Sequence, residues 1–401
     1  MMDGVPRESP RARELSVFLV AAEQSGDRLG GALMRALSEL YPGRVSFLGV
    51  GGEAMAAAGL RSLFAIEELS IVGFAAIPKR LPAIVRRIRQ TAAAAVAARP
   101  DVLVIIDSPD FTHRVARRVR AGAPEIPILD YVSPSVWAWR PGRARAMAGY
   151  VDRVLAILPF EPEAHRVLGG PPTTYVGHPL GEEVQSLRPN AEERSRRERD
   201  PPIVLVLPGS RQGEIRRLLP RFGAATDQLH RQFGKIELLL PTFPALAPKV
   251  HAQIARWPIA PRLITDEGEK LRAFRLARAA LAASGTVTLE LALAGVPTVA
   301  AYRVSAWEAA IARRLIRVPS VILANLVIGE NVVPELLQEE CTPERLASAL
   351  LPLLSDTPER KRQLDAFARL DDIMELASTR PSRRAAEIVL AAAQRGRHAR
   401  A

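Results

Sequence analysis

The chain has 401 residues, 48% hydrophobic and 24% charged, with a formal net charge of +12. That length allows two domains with cores of their own, and no apolar run approaches the roughly 20 residues that a bilayer-spanning helix needs. One cysteine, Cys341, excludes an internal disulfide and fits a reducing cytoplasm, and six histidines with that one thiol form no visible metal-ligand cluster.

The start, residues 1–14, is polar with both signs of charge and lacks the form of a secretory signal. Residues 15–21 then read as an apolar strand, 29–40 have helical spacing after a polar turn, and 45–50 form a second strand ending in Gly51-Gly52. Residues 63–82 are largely apolar with few charges, and Lys79 and Arg80 near their end, with Arg86, Arg87 and Arg89 just beyond, form a basic rim. An interfacial membrane contact needs that pattern, and so does a buried connection leading into an amphipathic helix. Further strands are expected at 102–106, with Asp107 at its end, at 126–132 and at 151–158. Fully apolar strands alternating with helices predict a parallel sheet covered on both faces.

Residues 186–201 are polar and charged and read as a linker. The alternation restarts with a strand at 203–207, a turn at 209–211 and a helix from Glu214. Strands follow at 236–241, 262–265 and 279–283, then the turn Ser284-Gly285-Thr286, a helix to about Ala294 and a strand at 297–302; residues 343–393 are mostly helical. The fold class is α/β: two doubly wound domains facing across a cleft. The expected division is a first domain over 1–185, the linker 186–201, a second domain over 202–345, and terminal helices over 346–401 that pack back on the first domain or on a partner chain.

Chemistry gathers where strands end. Ser284-Gly285-Thr286 opens a helix, so free N–H groups and the helix dipole suit a diphosphate, and Glu290 one turn on is placed for the hydroxyls of a ribose. An N-capped helix with an exposed Glu explains the same residues. Gly209-Ser210-Arg211 repeats the pattern and adds a guanidinium suited to phosphate. Residues 22–27 follow the first strand without the spacing of a dinucleotide fingerprint or a phosphate-loop lysine, which disfavours hydride-transfer and ATP-using enzymes. Asp107 is placed to act as a general base on a hydroxyl, or to cap the following turn, and Asp110 lies beside it. His178 is open between a base, a phosphate ligand and a structural hydrogen bond. Two of the four tryptophans, Trp137 and Trp139, fall in one stretch after a strand, where α/β enzymes place ligands and where aromatic rings also simply pack. The basic excess suits an anionic partner, but no nucleic-acid module is readable, and the runs 194–199 and 395–400 carry no interleaved aromatics.

Nine blocks together resemble the lipid-A-disaccharide synthase family over nearly the whole chain. They are AEQSGDRLG (22–30), FLGVGGEAM (47–55), IDSPDF (106–111), YVSPSVWAWR (131–140), LPFE (158–161), YVGHPL (175–180), LPGSR (207–211), SGTVTLE (284–290) and NVVPELLQEECTPERL (331–346). The resemblance implies a GT-B type glycosyltransferase with two Rossmann-like domains, no cofactor and no metal. It implies transfer from UDP-2,3-diacylglucosamine to 2,3-diacylglucosamine 1-phosphate (lipid X), with inversion, to give a β-1,6 disaccharide 1-phosphate and UDP for lipopolysaccharide biosynthesis.

By the same resemblance Asp107 is the base, and Glu23, Ser25 and Asp27 hold the acceptor. Ser210, Arg211, Ser284, Gly285, Thr286, Glu290 and Asn325 hold UDP. Acylated substrates imply a cytoplasmic enzyme on the inner leaflet of the inner membrane, touching lipid through Phe64, Ile71, Val72, Phe74, Leu81 and Arg86. Nucleic acid is not among the partners, and a homo-oligomer is left open. The chain departs from the family at Ala22-Glu23-Gln24, where Gly-Glu-Ala or Gly-Glu-Thr is usual. It departs again at 325–331, where Glu330 or Asn331 stands in the region of a frequent Arg. The rival readings are another lipid-linked UDP-GlcNAc-type transferase, a UDP-sugar epimerase, or a non-catalytic nucleotide-sugar-binding protein.

Overall fold

Two parallel sheets organise the chain, each the centre of its own unit in a computed structural model that describes residues 14–69, 77–315 and 318–398. The first sheet holds β1 (Leu15–Ala21), β2 (Val45–Val50), β3 (Arg61–Ser62), β4 (Val102–Ile106), β5 (Ile128–Tyr131), β6 (Arg153–Ala156) and β7 (Thr173–Tyr175). Their order across the sheet is β3-β2-β1-β4-β5-β6-β7. The second sheet holds β8 (Ile203–Leu207), β9 (Glu237–Pro241), β10 (Arg262–Ile264), β11 (Ala279–Ala283), β12 (Thr298–Tyr302) and β13 (Glu335–Leu337), in the order β10-β9-β8-β11-β12-β13.

Helices cover both faces, so the central strands β4, β8 and β11 are buried at every residue and read as unbroken apolar runs. The strands that sequence pattern misses are β3, β7 and β13. Each is an edge strand of two or three residues in which no residue but Leu336 is fully buried, so none carries a full apolar run. In each sheet the order of strands reverses once, between β1 and β4 and between β8 and β11. In doubly wound sheets ligands bind beyond the carboxyl ends of strands at that reversal.

The first unit comprises residues 1–179 and 378–401, the second 180–377. Of the terminal helices, those from Pro343 to Ile373 stay with the second unit, and the helix Pro381–His398 returns to the first. It buries Ala385, Ala386, Val389, Ala392 and Ala393 against Leu33, Leu37 and Val104, beneath the helix Gln24–Leu40. Its Arg397 donates to Asp101 Oδ2 at 2.6 Å and to the carbonyl of Glu14 at 2.7 Å.

The stretch 186–201 is not a linker. It contains the end of the helix Leu180–Leu187 and the helix Ala191–Arg197, which starts with a reciprocal cap between Asn190 and Glu193. Buried Arg197 donates to the carbonyls of Phe274, Arg275, Ala294 and Gly295. One arginine of a charged run that is otherwise mostly exposed is thus spent on the carbonyl ends of two other helices.

Phe64 does not face lipid. It is 8% exposed, belongs to the first unit's core with Ile66, and carries the guanidinium of Arg87 4.5 Å above its ring. Leu81, 47% exposed, and Arg86 stand on the surface of the helix Ile77–Ala98, while Ile71, Val72 and Phe74 lie outside the described residues. Among the described residues no helix is long and apolar enough to cross a membrane.

Candidate functional site

The carboxyl ends of β1 and β4 bring Ser25 to Asp107. The Ser25 hydroxyl donates to Asp107 Oδ2 at 3.2 Å, and the Ser108 amide donates to Oδ1 at 2.7 Å. Asp107 and Ser108 both have left-handed backbone, φ +52° and +46°, which costs a non-glycine residue energy and needs outside support. The support is visible. The Asp107 amide donates to the Tyr131 carbonyl of β5 at 3.1 Å, and the Thr112 hydroxyl donates to the Asp107 carbonyl at 2.7 Å. The helix Pro109–Gly122 follows, so Asp107 stands partly exposed on an elbow above the reversal. Glu23 and Ser25 are exposed at the start of the helix Gln24–Leu40. Asp110 is exposed and lies 3.5 Å from Arg143.

Asp27 turns the other way. It is buried, and its carboxylate accepts the amides of Gly52 (2.7 Å), Ala54 (2.9 Å) and Met55 (3.1 Å), capping the helix Glu53–Ala57. Its oxygens are committed to that helix, so it does not serve an acceptor.

The two tryptophans divide the alternatives between them. Trp137 packs edge-on against Phe160 at 5.1 Å and donates through Nε1 to Glu161 Oε1 at 3.2 Å. Trp139 lies at the surface under Arg140, whose guanidinium is 4.4 Å from its ring. Burial pushes Glu161 up to about 7, against the pull of its bonds from the Leu158 amide and Trp137. Burial also holds His178 down to about 4, so its imidazole is neutral near pH 7 and supplies no charge to a phosphate. Beneath the Asp107 elbow, His113 sits 3.2 Å from Asp130 and 2.9 Å from the Tyr150 hydroxyl, a buried set that sequence reading does not find. Its members are scattered in sequence and carry no shared motif.

In the second unit the carboxyl ends of β8 and β11 bring Gly209–Arg211 beside Ser284–Thr286. The amides of Gly285, Thr286 and Val287 donate to no acceptor among the described residues, and Gly285 and Thr286 are exposed. Ser284 spends its hydroxyl on the Val321 carbonyl at 2.9 Å. The turn at 209–211 differs. Its Ser210 and Arg211 amides are taken by Glu214 Oε2, at 3.1 and 3.2 Å, so the expectation of free N–H groups fails there. The Arg211 side chain is 81% exposed and stands 3.4 Å from Glu214 Oε1.

Glu290 lies at the start of the helix Val287–Leu293 and pairs with Lys270 at 3.4 Å. Burial works against the charge on Lys270, but Glu290 and Glu267 outweigh it and raise its pKa. Asn325 is not available to UDP. It is buried, accepts the amides of Val332 and Val333, and donates to the Val333 carbonyl and to Glu335. It holds together the segment from Asn325 to Glu335. Among the described residues no three His, Cys, Asp or Glu side chains are grouped to hold a metal ion.

A family model described as lipid-A-disaccharide synthetase matches residues 17–389. The lipid-A-disaccharide synthase of Bradyrhizobium diazoefficiens is 62% identical over 381 residues, covering 95% of this chain and 97% of that protein. Among solved structures, the UDP-GlcNAc 2-epimerase of Methanocaldococcus jannaschii, in complex with UDP-GlcNAc and UDP, matches with a TM-score of 0.57 at 12% identity, over 94% of this chain and all of its own. The calicheamicin glycosyltransferase CalG4 matches with a TM-score of 0.57 at 17% identity, over 96% of this chain and 99% of its own. These two likenesses speak for the fold alone. With the GT-B fold in place and the sequence match running almost end to end, the chain belongs to the lipid-A-disaccharide synthase family of glycosyltransferases.

Proposed function

We propose that the chain transfers the diacylglucosamine of UDP-2,3-diacylglucosamine to the 6-hydroxyl of 2,3-diacylglucosamine 1-phosphate, forming a β-1,6 disaccharide 1-phosphate and releasing UDP. Asp107 takes the proton of the acceptor 6-hydroxyl as its oxygen attacks the anomeric carbon. The bond from that carbon to the β-phosphate oxygen breaks, its electron pair leaves with UDP, and the configuration inverts. Ser25 orients the carboxylate through its hydrogen bond, and exposed Glu23 meets the acceptor from the same side.

UDP is held by the Gly285–Val287 amides, the Thr286 hydroxyl and the guanidinium of Arg211, with Glu290 toward the ribose. These groups balance the charge on the departing diphosphate, so no metal or other cofactor is required. Loss of one preorganised donor of this kind costs about 3 kcal/mol in the transition state. Both substrates carry acyl chains, so the enzyme works at a bilayer surface, on the anionic inner leaflet, with Leu81 and Arg86 on the side that touches it.

The observation that carries this reading is the Asp107 elbow. A strained, partly exposed carboxylate at a sheet's reversal, aligned by a serine from the helix that follows the neighbouring strand, is a base in waiting. The test mixes the purified protein with both substrates in detergent and follows products by mass spectrometry, beside Asp107→Asn. Wild type should give the disaccharide 1-phosphate, and the variant should be slower by at least about a hundredfold with UDP affinity unchanged. No disaccharide from wild type would sink the function; full turnover in Asp107→Asn would remove that residue from the chemistry.

A further inference from the structure

Glu214 brings a negative charge to one of the two turns of the second unit where an anion is expected. Its Oε2 accepts the Ser210 and Arg211 amides at 3.1 and 3.2 Å, the very donors a phosphate oxygen would seek. Gly209 makes room for it. That residue has φ +110°, and a Cβ on it would collide with Oε2. The carboxylate is also held from the far side. Tyr302 ends β12, and β11 lies between β12 and β8. Its hydroxyl therefore reaches past the carboxyl end of β11, where Ser284–Thr286 begins, to donate to Glu214 Oε1 at 3.4 Å. Burial, then the charge of Glu214, raises the pKa of Tyr302 and keeps it a donor.

We infer that Glu214, braced by Tyr302, is a positioning residue for the leaving diphosphate. It fills the amide nest of the 209–211 turn from within and so leaves the ligand's phosphates to the Gly285–Val287 amides and the Arg211 side chain. The inference rests on the reading of this end of the sheet as the UDP subsite. A diphosphate beside a fixed carboxylate needs a cation between them, and Arg211 is the group at hand. Its guanidinium meets Glu214 at a long 3.4 Å and is 81% exposed, so it is free to turn toward the ligand while its own backbone stays anchored. Without Glu214 the nest would open as a second anion position, and the diphosphate would bind out of line with the reaction.

A simple helix cap uses the same bonds, because Glu214 is the third residue of the helix Gln212–Phe233. The two roles differ in what they move. A cap that fails weakens the protein and its ligand affinity together. A positioning residue that fails lowers turnover while the ground state stays bound.

The experiment measures UDP affinity by calorimetry and kcat by product formation for wild type, Glu214→Gln, Arg211→Ala and the double variant. Tyr302→Phe, which leaves both amide bonds of Glu214 in place, is the gentler second probe. In Glu214→Gln the UDP affinity should stay within about twofold or tighten, while kcat falls by about tenfold or more. In the Arg211→Ala background the same substitution should cost less than about twofold, because the group it positions is gone. Tyr302→Phe should show the same split at about threefold. UDP binding that weakens in step with kcat, or an equal loss in both backgrounds, overturns the inference. Failure of wild type to bind UDP would instead overturn the nucleotide subsite itself, and failure only to make disaccharide would strike the proposed reaction while the UDP arm still decided the role of Glu214.

Discussion

Asp27 and Asp107 lie just beyond adjacent strands, yet their carboxylates do opposite work. Asp27 sits inside the first turn of a helix and accepts three amides at the start of the helix Glu53–Ala57; Asp107 sits on a left-handed elbow that leaves it partly exposed. Asn325 repeats the lesson in the second unit, its amide spent within its own loop. Glu161 offers a measurable case. Its folded pKa of about 7 lies above the ordinary 4.5, so burial favours the protonated form. The stability tied to this proton is fully present below the ordinary value and is lost as pH rises through about 7. The shift corresponds to about 3 kcal/mol. Denaturant unfolding at about pH 5 and about pH 8 should show wild type losing up to that much more than Glu161→Gln. Parallel losses in the two proteins would mean that Glu161 is not the group being titrated.

At the scale of elements, caps and close approaches decide which turns are open. The helix Glu53–Ala57 has one short turn of its own bonds and depends on Asp27. Asp27→Ala leaves three amides without their acceptor and should cost about 3 kcal/mol in unfolding free energy. Loss of activity at unchanged stability would restore Asp27 to the acceptor site. The same logic separates the two anion turns. At 284–286 the first amides of the helix stay unspent, while at 209–211 Glu214 has consumed them. Sequence spacing makes these turns look alike, because the difference lies in where a glutamate three residues into the helix folds back. The central strands were legible because both faces of each are covered. The edge strands β3, β7 and β13 and the helix Ala191–Arg197 were not, since their residues answer to neighbours distant in the chain.

At the scale of the whole molecule the first unit is discontinuous. Its last helix arrives from beyond residue 378 and completes a core begun at residue 15. A chain ending at residue 377 would expose the face of Gln24–Leu40 that Ala385, Ala386 and Val389 cover. Thermal unfolding of that truncated protein should lose the first unit's transition to lower temperature or to aggregation, while UDP affinity, which the proposed reading gives to the second unit, is retained within about twofold. An unchanged unfolding profile would show that the helix is dispensable.

The sequence by itself determined the α/β class, the two strand-turn-helix halves, the likeness to lipid-A-disaccharide synthases and the turns where chemistry gathers. Apolar runs, glycines and short motifs are local, and burial on both faces of a strand writes itself into consecutive residues. Only the tertiary structure decided which polar groups at those turns remain free. Asp107 keeps its carboxylate partly exposed because Tyr131 and Thr112 hold its elbow, while Asp27, Asn325 and the 209–211 amides have been claimed by partners within the fold. A hydrogen bond between groups brought together by folding leaves no periodic trace in the chain, so availability, unlike residue type, is a property of the folded molecule.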